Sequence, residues 1–259
     1  MVLTILFLIG AGFLAGILAS TAGLASLVSY PALLAVGLPP VIANVTNTTS
    51  LIFTGIGSTV SSLRELRGHW RQLTLYVSLA LVGGIIGSLA LILAPESSFE
   101  KIVPFLIFLA GALLISSGRR TGDTAQKIKA AKMHPKKHAI IQVASYFGIL
   151  FVGAYGGYFG AGAGILILSL LSIITDDDFL VVNAMKNVIG FASNLIAAIV
   201  FIFRTRIAWH FVFPMGIGLF IGGYVGPIIV RHINITILRA LIALAAFGLG
   251  ITLFIKAYF

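Results

Sequence analysis

Long, nearly uninterrupted apolar runs constrain this sequence more than any other feature. A helix that crosses the ~30 Å hydrocarbon core of a bilayer needs about 20 consecutive apolar residues. The 259 residues are 59% hydrophobic and 9% charged, and a mean hydropathy of +1.11 excludes a water-soluble fold. We therefore expect an all-α integral membrane protein with about eight transmembrane segments. These segments are Val2–Val36, Val41–Leu63, Leu73–Leu93, Ile102–Ser117, Ala139–Ile174, Leu180–Phe203, Phe211–Val230 and Ile235–Phe259.

Two of these runs are too long for one straight crossing. The 35 residues of Val2–Val36 would form a continuous helix of roughly 50 Å at 1.5 Å per residue. Small residues interrupt this run at 19–23, and the fifth run contains five glycines within 156–164. Because glycine disfavours helix, we predict a break in each run. Each broken run is then either a kinked span or a re-entrant hairpin.

Basic residues predict which loops face the cytoplasm. With eight crossings and a cytoplasmic N-terminus, the inside segments are 64–72, 118–138, 204–210 and the C-terminal end. They contain 13 of the 17 Lys and Arg residues, whereas Asp176–Asp178 lies outside. This bias predicts a multi-pass plasma-membrane protein of a prokaryote with both termini in the cytoplasm. Re-entrant hairpins would instead invert the two halves, so that Arg204 and Arg206 face outward and Asp176–Asp178 inward.

The two halves of the chain share a plan. Shifting the sequence by 140 residues without a gap aligns identical residues at many positions, among them the pairs Gly16/Gly156, Asn47/Asn187, Arg64/Arg204 and Gly83/Gly223. We predict a first transmembrane repeat at 1–117, a basic cytoplasmic linker at 118–138 and a second repeat at 139–259. The first segment of each repeat is the long, broken one. Transporters built from repeats carry the substrate at the repeat interface.

Polar side chains are concentrated in the second and sixth runs. Nearly half of the second run is Asn, Thr or Ser, so this helix should face protein or a water-filled path. The sixth run contains Asn183, Asn187 and Asn194, together with Lys186, the single basic residue away from the ends of a predicted span. An ammonium at this depth is costly unless it snorkels, pairs with Asp176–Asp178 or meets a substrate anion.

These features predict an anion site between the halves. Helix ends exposed at a break present unpaired N–H groups and the positive end of the helix dipole, which favour anions. The alternatives are that the glycines only allow close helix packing and that the polar side chains only bond between helices. The predicted substrate-binding residues are Ser20, Thr21, Gly23, Asn44, Asn47, Thr48, Gly160, Gly162, Gly164, Lys186, Asn187 and Asn194.

Other classes of function fit the sequence poorly. Cysteine is absent, the five histidines fall in loops or at segment ends, and no carboxylate lies within a predicted span. We therefore expect no enzyme activity, no metal and no cofactor. The net charge of +10 is explained by loops that face anionic lipid, so we expect membrane lipids and a small anion as partners and no nucleic acid. Homo-oligomerisation remains open.

The chain resembles the TauE/SafE sulfite exporter family. The resemblance is carried by the glycine-interrupted first and fifth runs, the loop Gly37-Leu38-Pro39-Pro40 before Asn44 and Asn47, and the matching stretch Asn183-Ala184-Met185-Lys186-Asn187. It covers essentially the whole chain and implies a permease or exporter for sulfite, sulfonates or a similar anion. The first half departs from the more glycine-rich family pattern at 20–26. A carrier of another small solute and a passive anion channel are the alternatives.

Overall fold

The computed structural model describes residues 2–120, 135–175, 177–230, 247–248 and 250–258. In these residues the regular structure is entirely helical. The helices are α1 (Val2–Ala22), α2 (Ser26–Ala35), α3 (Pro40–Ser61), α4 (Trp70–Leu93), α5 (Glu96–Arg120), α6 (Pro135–Tyr158), α7 (Ala163–Ile174), α8 (Phe179–Arg204), α9 (Trp209–Val230) and a last helix at 250–258. Most of the predicted linker and the first half of the predicted eighth run lie outside the described residues.

The described helices suit a bilayer. Four of them are long and apolar enough to cross it: Val2–Ala22, Trp70–Leu93, Phe179–Arg204 and Trp209–Ile229. Large apolar side chains point outward, as Phe151 and Phe203 do with 70% and 81% of their surface exposed. The polar side chains of α3 are instead buried, with Asn47 and Ser50 fully enclosed. The prediction that the second run faces protein is confirmed.

Both long runs are interrupted. The helix α1 ends at Ala22, Gly23 has a φ of 73°, and α2 begins at Ser26. In the fifth run α6 ends at Tyr158, Gly160 and Gly162 have φ values of 76° and 78°, and α7 begins at Ala163. Since a positive φ is costly for any residue with a Cβ atom, glycine is what allows the chain to change direction here.

The first run turns back instead of continuing across. Helix α1 packs parallel to α9, because Gly16 lies against Leu219 while Ser20, one turn later, lies against Gly226. Helix α9 in turn runs parallel to α3, with Phe53 against Gly216 and Gly57 against Tyr224. A short turn at 36–39 joins α2 to α3, so α2 runs opposite to α3 and therefore to α1. We name α1 and α2 the first hairpin.

The fifth run turns back in the same way. Helix α6 packs parallel to α4, because Gly153 lies against Ala80 and Gly157 against Gly84, and Gly84 also contacts Ser193 of α8. Helix α7 precedes α8 through the short segment 175–178 and so runs opposite to it. Helices α6 and α7 form the second hairpin. The described core thus contains two groups of parallel helices, α1 with α3 and α9, and α4 with α6 and α8, which run in opposite directions.

Two contacts show which loops share a face. The Nδ1 atom of His69, in the turn before α4, lies 3.6 Å from Oδ1 of Asp177, in the turn before α8. Leu66, Leu171 and Val182 lie in one buried cluster beneath this contact. We name this end of the molecule the His69 face. At the opposite end the backbone N–H of Ala208 donates to Oγ1 of Thr46 near the start of α3 (3.2 Å), and we name this end the Ala208 face.

The sidedness predicted from charge is therefore wrong. That prediction put 64–72 and 204–210 on one side and Asp176–Asp178 on the other, whereas 64–72 and Asp177 share the His69 face. The prediction also put the C-terminal end on the same side as the basic linker. Tyr258 instead donates to the carbonyl of Lys101 (3.4 Å), near the start of α5. The linker follows the other end of α5, so the C-terminal end and the linker lie at opposite ends of this helix. The physical reason is that a hairpin begins and ends on the same face, so it reverses the direction in which the following helices cross relative to the prediction.

We predict that single cysteines will report this sidedness, since the natural chain contains none. Arg67→Cys, Asp178→Cys and Arg206→Cys each replace an exposed loop residue. In sealed vesicles a membrane-impermeant maleimide should label Arg67→Cys and Asp178→Cys from the same side and Arg206→Cys from the other. Labelling of Arg67→Cys and Arg206→Cys from one side would contradict the hairpin arrangement.

Candidate functional site

The turns of the two hairpins touch each other. A Cβ atom added to Gly23 would overlap Cα of Gly164, and one added to Gly164 would overlap Cα of Gly23. The backbones therefore meet with no side chain between them. This contact joins residue 23 of the first half to residue 164 of the second and lies where the two opposite helix groups come together.

A cavity of about 90 Å³ lies beside this contact. It is large enough for several water molecules or one small ion. The turns of both hairpins and the polar faces of α3 and α8 line this cavity. The polar and turn residues in the lining are Gly23, Ser26, Thr54, Ser58, Gly160, Gly164, Lys186, Asn187, Ser193 and Asn194.

Two helix N-termini open onto the cavity. Ala25 and Ser26 belong to the first turn of α2, and Ala163 and Gly164 begin α7; all four line the cavity. The first N–H groups of a helix have no acceptor within it, and the aligned peptide dipoles place about half a positive charge there. The hairpins thus present two positive helix ends to one small space.

Lys186 lies at a helix C-terminus, the end of α1. Its Nζ atom donates to the carbonyl oxygens of Ala19 (3.0 Å) and Ser20 (3.2 Å), in the last turn of α1. The amides of Asn183 and Asn187 also donate to Ser20, at 3.0 and 3.3 Å. Lys186 is 2% exposed and bonds to carbonyl groups in the last turn of α1, of which that of Ala19 also accepts from the N–H of Gly23 (2.8 Å). A cation is favoured at this negative end of the dipole, so Lys186 holds α1 in place while it lines the cavity.

The first half makes the reciprocal connection. Asn44 of α3 donates from Nδ2 to the carbonyl of Tyr158, the last residue of α6 (2.8 Å). Asn47 donates to Oγ of Ser26 at the start of α2 (3.1 Å). Through Asn44 and Lys186 the polar helix of each half holds the broken helix of the other half, so the two halves are tied together at their breaks.

The predicted site residues divide into two sets. Six of them line the cavity: Gly23, Gly160, Gly164, Lys186, Asn187 and Asn194. The other six do not, and they are Ser20, Thr21, Asn44, Asn47, Thr48 and Gly162. The hydroxyls of Ser20 and Thr21 donate to carbonyls of their own helix, at Gly16 (2.9 Å) and Ile17 (2.7 Å). Asn44 bonds to Tyr158 of the second half, and Asn47 bonds to Ser26 of its own half, as described above.

Some lining residues were missing from the prediction. Ser26, Thr54, Ser58 and Ser193 line the cavity. Thr54 and Ser58 lie one turn apart and share a stripe of α3 with the cavity-facing Leu51, a spacing that could have identified them. Ser26 could not be found this way, because its position depends on where the first hairpin turns.

Comparisons with known proteins agree on one kind of protein. The family described as Sulfite exporter TauE/SafE matches residues 8–253. A probable membrane transporter protein of Haemophilus influenzae is 26% identical over 248 residues, which cover 95% of this chain and 91% of the relative. The probable membrane transporter protein ORF9 of a Sinorhizobium species is 27% identical, with coverage of 95% and 91%. The probable membrane transporter protein YfcA of Escherichia coli is 24% identical, with coverage of 95% and 87%. No solved structure matches the chain significantly.

We predict that Lys186→Met will lower the thermal stability of the detergent-purified protein. The substitution keeps an unbranched side chain but removes the two hydrogen bonds from the ammonium to the carbonyls of Ala19 and Ser20, and a hydrogen bond to a charged group contributes about 1.5–3 kcal/mol. Differential scanning fluorimetry should show a lower Tm than for Lys101→Met, which removes an exposed ammonium. Equal midpoints for the two variants would contradict the capping role.

Proposed function

The chain belongs to the TauE/SafE sulfite exporter family, and from this premise we propose that its substrate is a small sulfur-containing anion such as sulfite or an organosulfonate. The protein is a membrane transporter and not an enzyme. The observation that carries the choice of an anion is the convergence of two helix N-termini and the Lys186 ammonium on one small cavity. The cavity beside the Gly23–Gly164 contact is the proposed binding site.

The electrostatics of the cavity support this proposal. Two partial positive charges come from α2 and α7, and a full charge comes from Lys186. The negative end of α1 offsets part of the ammonium charge, but among the described residues that line the cavity none is acidic. An anion therefore finds a positive potential in a space largely removed from water, where each charge acts over a lower dielectric.

Hydrogen-bond donors surround the same space. The hydroxyls of Ser26, Thr54, Ser58 and Ser193 and the amide of Asn194 belong to the lining. The hydroxyls of Thr54, Ser58 and Ser193 already donate to backbone carbonyls. The Ser26 hydroxyl, which accepts from Asn47, and the Asn194 amide are therefore the neutral donors proposed for an oxyanion, which accepts hydrogen bonds at every oxygen. The size of the cavity favours an anion of a few heavy atoms and disfavours a bulky organic solute.

The opposite directions of the two helix groups suggest how the site changes access. The proposed cavity lies between α1, α3 and α9 on one side and α4, α6 and α8 on the other. Rocking of one group against the other about the fixed hairpin contact would open the cavity to each face in turn. This alternating-access cycle is part of the proposal.

We also propose the orientation of the protein in the plasma membrane. The His69 face carries Arg64, Arg67 and Arg71, and at that end α5 finishes with Arg119 and Arg120 and α6 starts with Pro135, Lys136 and Lys137. Only a few basic residues, such as Arg204, Arg206 and Lys256, belong to the Ala208 face. The positive-inside rule then places the His69 face in the cytoplasm and both termini outside.

We predict that sulfite or a sulfonate will stabilise the purified protein in a buffer whose only cation is choline. A ligand that binds the folded state alone raises its apparent stability by mass action. Asn194→Leu should raise the half-effective concentration by about tenfold, the equivalent of one lost hydrogen bond of ~1.4 kcal/mol. Gln142→Leu, which changes an exposed amide on α6, is the matched control and should leave that concentration unchanged.

Transport assays separate the alternatives. A carrier should show saturable counterflow of the labelled anion in proteoliposomes, which a passive anion channel does not produce. Stabilisation by an uncharged solute, with no response to any sulfur oxyanion or sulfonate, would overturn the proposed substrate class and favour a carrier of another small solute.

A further inference from the structure

The two broken helices end in different electrostatic surroundings. The carbonyl end of α1 receives the ammonium of Lys186 in addition to two amides. The last carbonyl of α6, at Tyr158, receives the neutral amide of Asn44. Each C-terminal helix end carries about half a negative charge, so the structure shows a resident cation at one end and a neutral donor at the other.

Three buried polar groups near the end of α6 have unsatisfied oxygen atoms. Among the described residues, Oδ1 of Asn44, Oδ1 of Asn47 and the hydroxyl of Tyr30 form no hydrogen bond, and all three residues are fully enclosed. A buried polar atom without a partner costs on the order of 1–3 kcal/mol. Three of them in one region indicate that something else occupies it.

These oxygens lie in one neighbourhood. Asn44 and Asn47 are one turn apart on α3, and Asn47 contacts Ser26, which is one turn before Tyr30 on the antiparallel helix α2. The ring of Tyr30 packs edge-on against Phe159, the residue after Tyr158, with 5.3 Å between ring centroids. Tyr30 therefore lies beside the end of α6 that Asn44 caps.

The direction of the Asn44 amide is set by its other atom, whereas Asn47 bonds to a hydroxyl that can donate or accept. Nδ2 of Asn44 donates to a carbonyl that can only accept, so reversing the amide would place two oxygens against each other. Oδ1 of Asn44 must therefore remain an acceptor without a protein donor. An occupant of this region has to satisfy oxygen atoms, which is what a cation does.

A second cavity leads to this region. It has a volume of about 90 Å³ and is lined by Tyr30, Pro40, Glu100, Val103, Leu253, Lys256 and Ala257. Pro40 lies one turn before Asn44 on α3. Exposed Glu100 and Lys256 also line it, so the cavity links Tyr30 with the Ala208 face, while Asn44 and Asn47 lie behind Tyr30 and do not line it.

We propose that a sodium ion binds at the inner end of this second cavity, held by Oδ1 of Asn44, Oδ1 of Asn47 and the Tyr30 hydroxyl at the negative end of α6. Neutral oxygen atoms beside a helix C-terminus are the ligands that transporters use for monovalent cations. The amide oxygen of Asn183, at the end of α1, is also unsatisfied. There the adjacent Lys186 ammonium already supplies positive charge and repels a cation. The sodium site does not depend on the identity of the transported anion.

The test is sodium binding to the purified wild-type protein in the absence of any sulfur anion. Thermal stability is measured against NaCl, with choline chloride keeping ionic strength and chloride constant, and with KCl as a second series. The Tm should rise with the logarithm of the sodium concentration and not with potassium. Direct binding of ²²Na⁺ to the same protein should saturate at one ion per chain.

Tyr30→Phe is the informative variant, because it keeps the ring on Phe159 and removes one oxygen ligand. Loss of a ligand should weaken sodium binding by tenfold or more, in line with the roughly 10–100-fold effects of disturbed metal sites. Tyr76→Phe, at a buried tyrosine of α4 bonded to Gln72, is the control and should bind sodium as the wild type does.

Equal responses to sodium, potassium and choline in the wild type, with no ²²Na⁺ bound, would overturn the proposal and leave water as the occupant. Sodium binding that is unchanged in Tyr30→Phe would also overturn this placement of the ion. Because this assay contains no sulfur anion and the anion assay contains no sodium, failure of one proposal is distinguishable from failure of the other.

Discussion

At the centre of the molecule two backbones touch at Gly23 and Gly164, where neither chain has room for a Cβ atom. Both glycines lie at the turns of re-entrant hairpins, and the hairpins can meet only because the contact is backbone to backbone. The position of the cavity follows from this contact, since both hairpins line it at their turns. The opposing helix groups then close around the cavity from either side.

A broken helix in a membrane leaves carbonyl and N–H groups without a helical partner. The hydrocarbon core contains no water that could bond to them. This protein satisfies the carbonyls of each hairpin with side chains from the other half, through Asn44 at Tyr158 and Lys186 at Ser20. The N-terminal ends of α2 and α7 line the cavity. The same breaks therefore bind the halves together and form the cavity that we propose as the anion site.

The two halves differ where function requires it. The end of α1 is neutralised by an ammonium that belongs to the chain, whereas the end of α6 is surrounded by neutral groups with unsatisfied oxygens. This difference separates the roles that we propose for the two helix ends. The end of α1 supports the proposed anion site with fixed positive charge, and the end of α6 supports the proposed binding of a removable cation.

Much of the fold and part of the site could be predicted from the sequence. Hydrophobic runs, glycine breaks and the polar second run depend on composition and local spacing, so the all-helical membrane class, the interruptions and the burial of Asn47 were predictable. Six of the twelve predicted site residues line the cavity, because Lys186, Asn187 and Asn194 are polar at membrane depth and the glycines mark the breaks.

The direction of the chain after each break was not predictable, since a kink and a hairpin use the same residues. Only tertiary structure decided it, through the contact of His69 with Asp177 and the packing of α1 along α9. The same packing places Asn44 and Asn47 away from the cavity, where Asn44 connects the two halves through Tyr158 and Asn47 holds the start of α2 through Ser26.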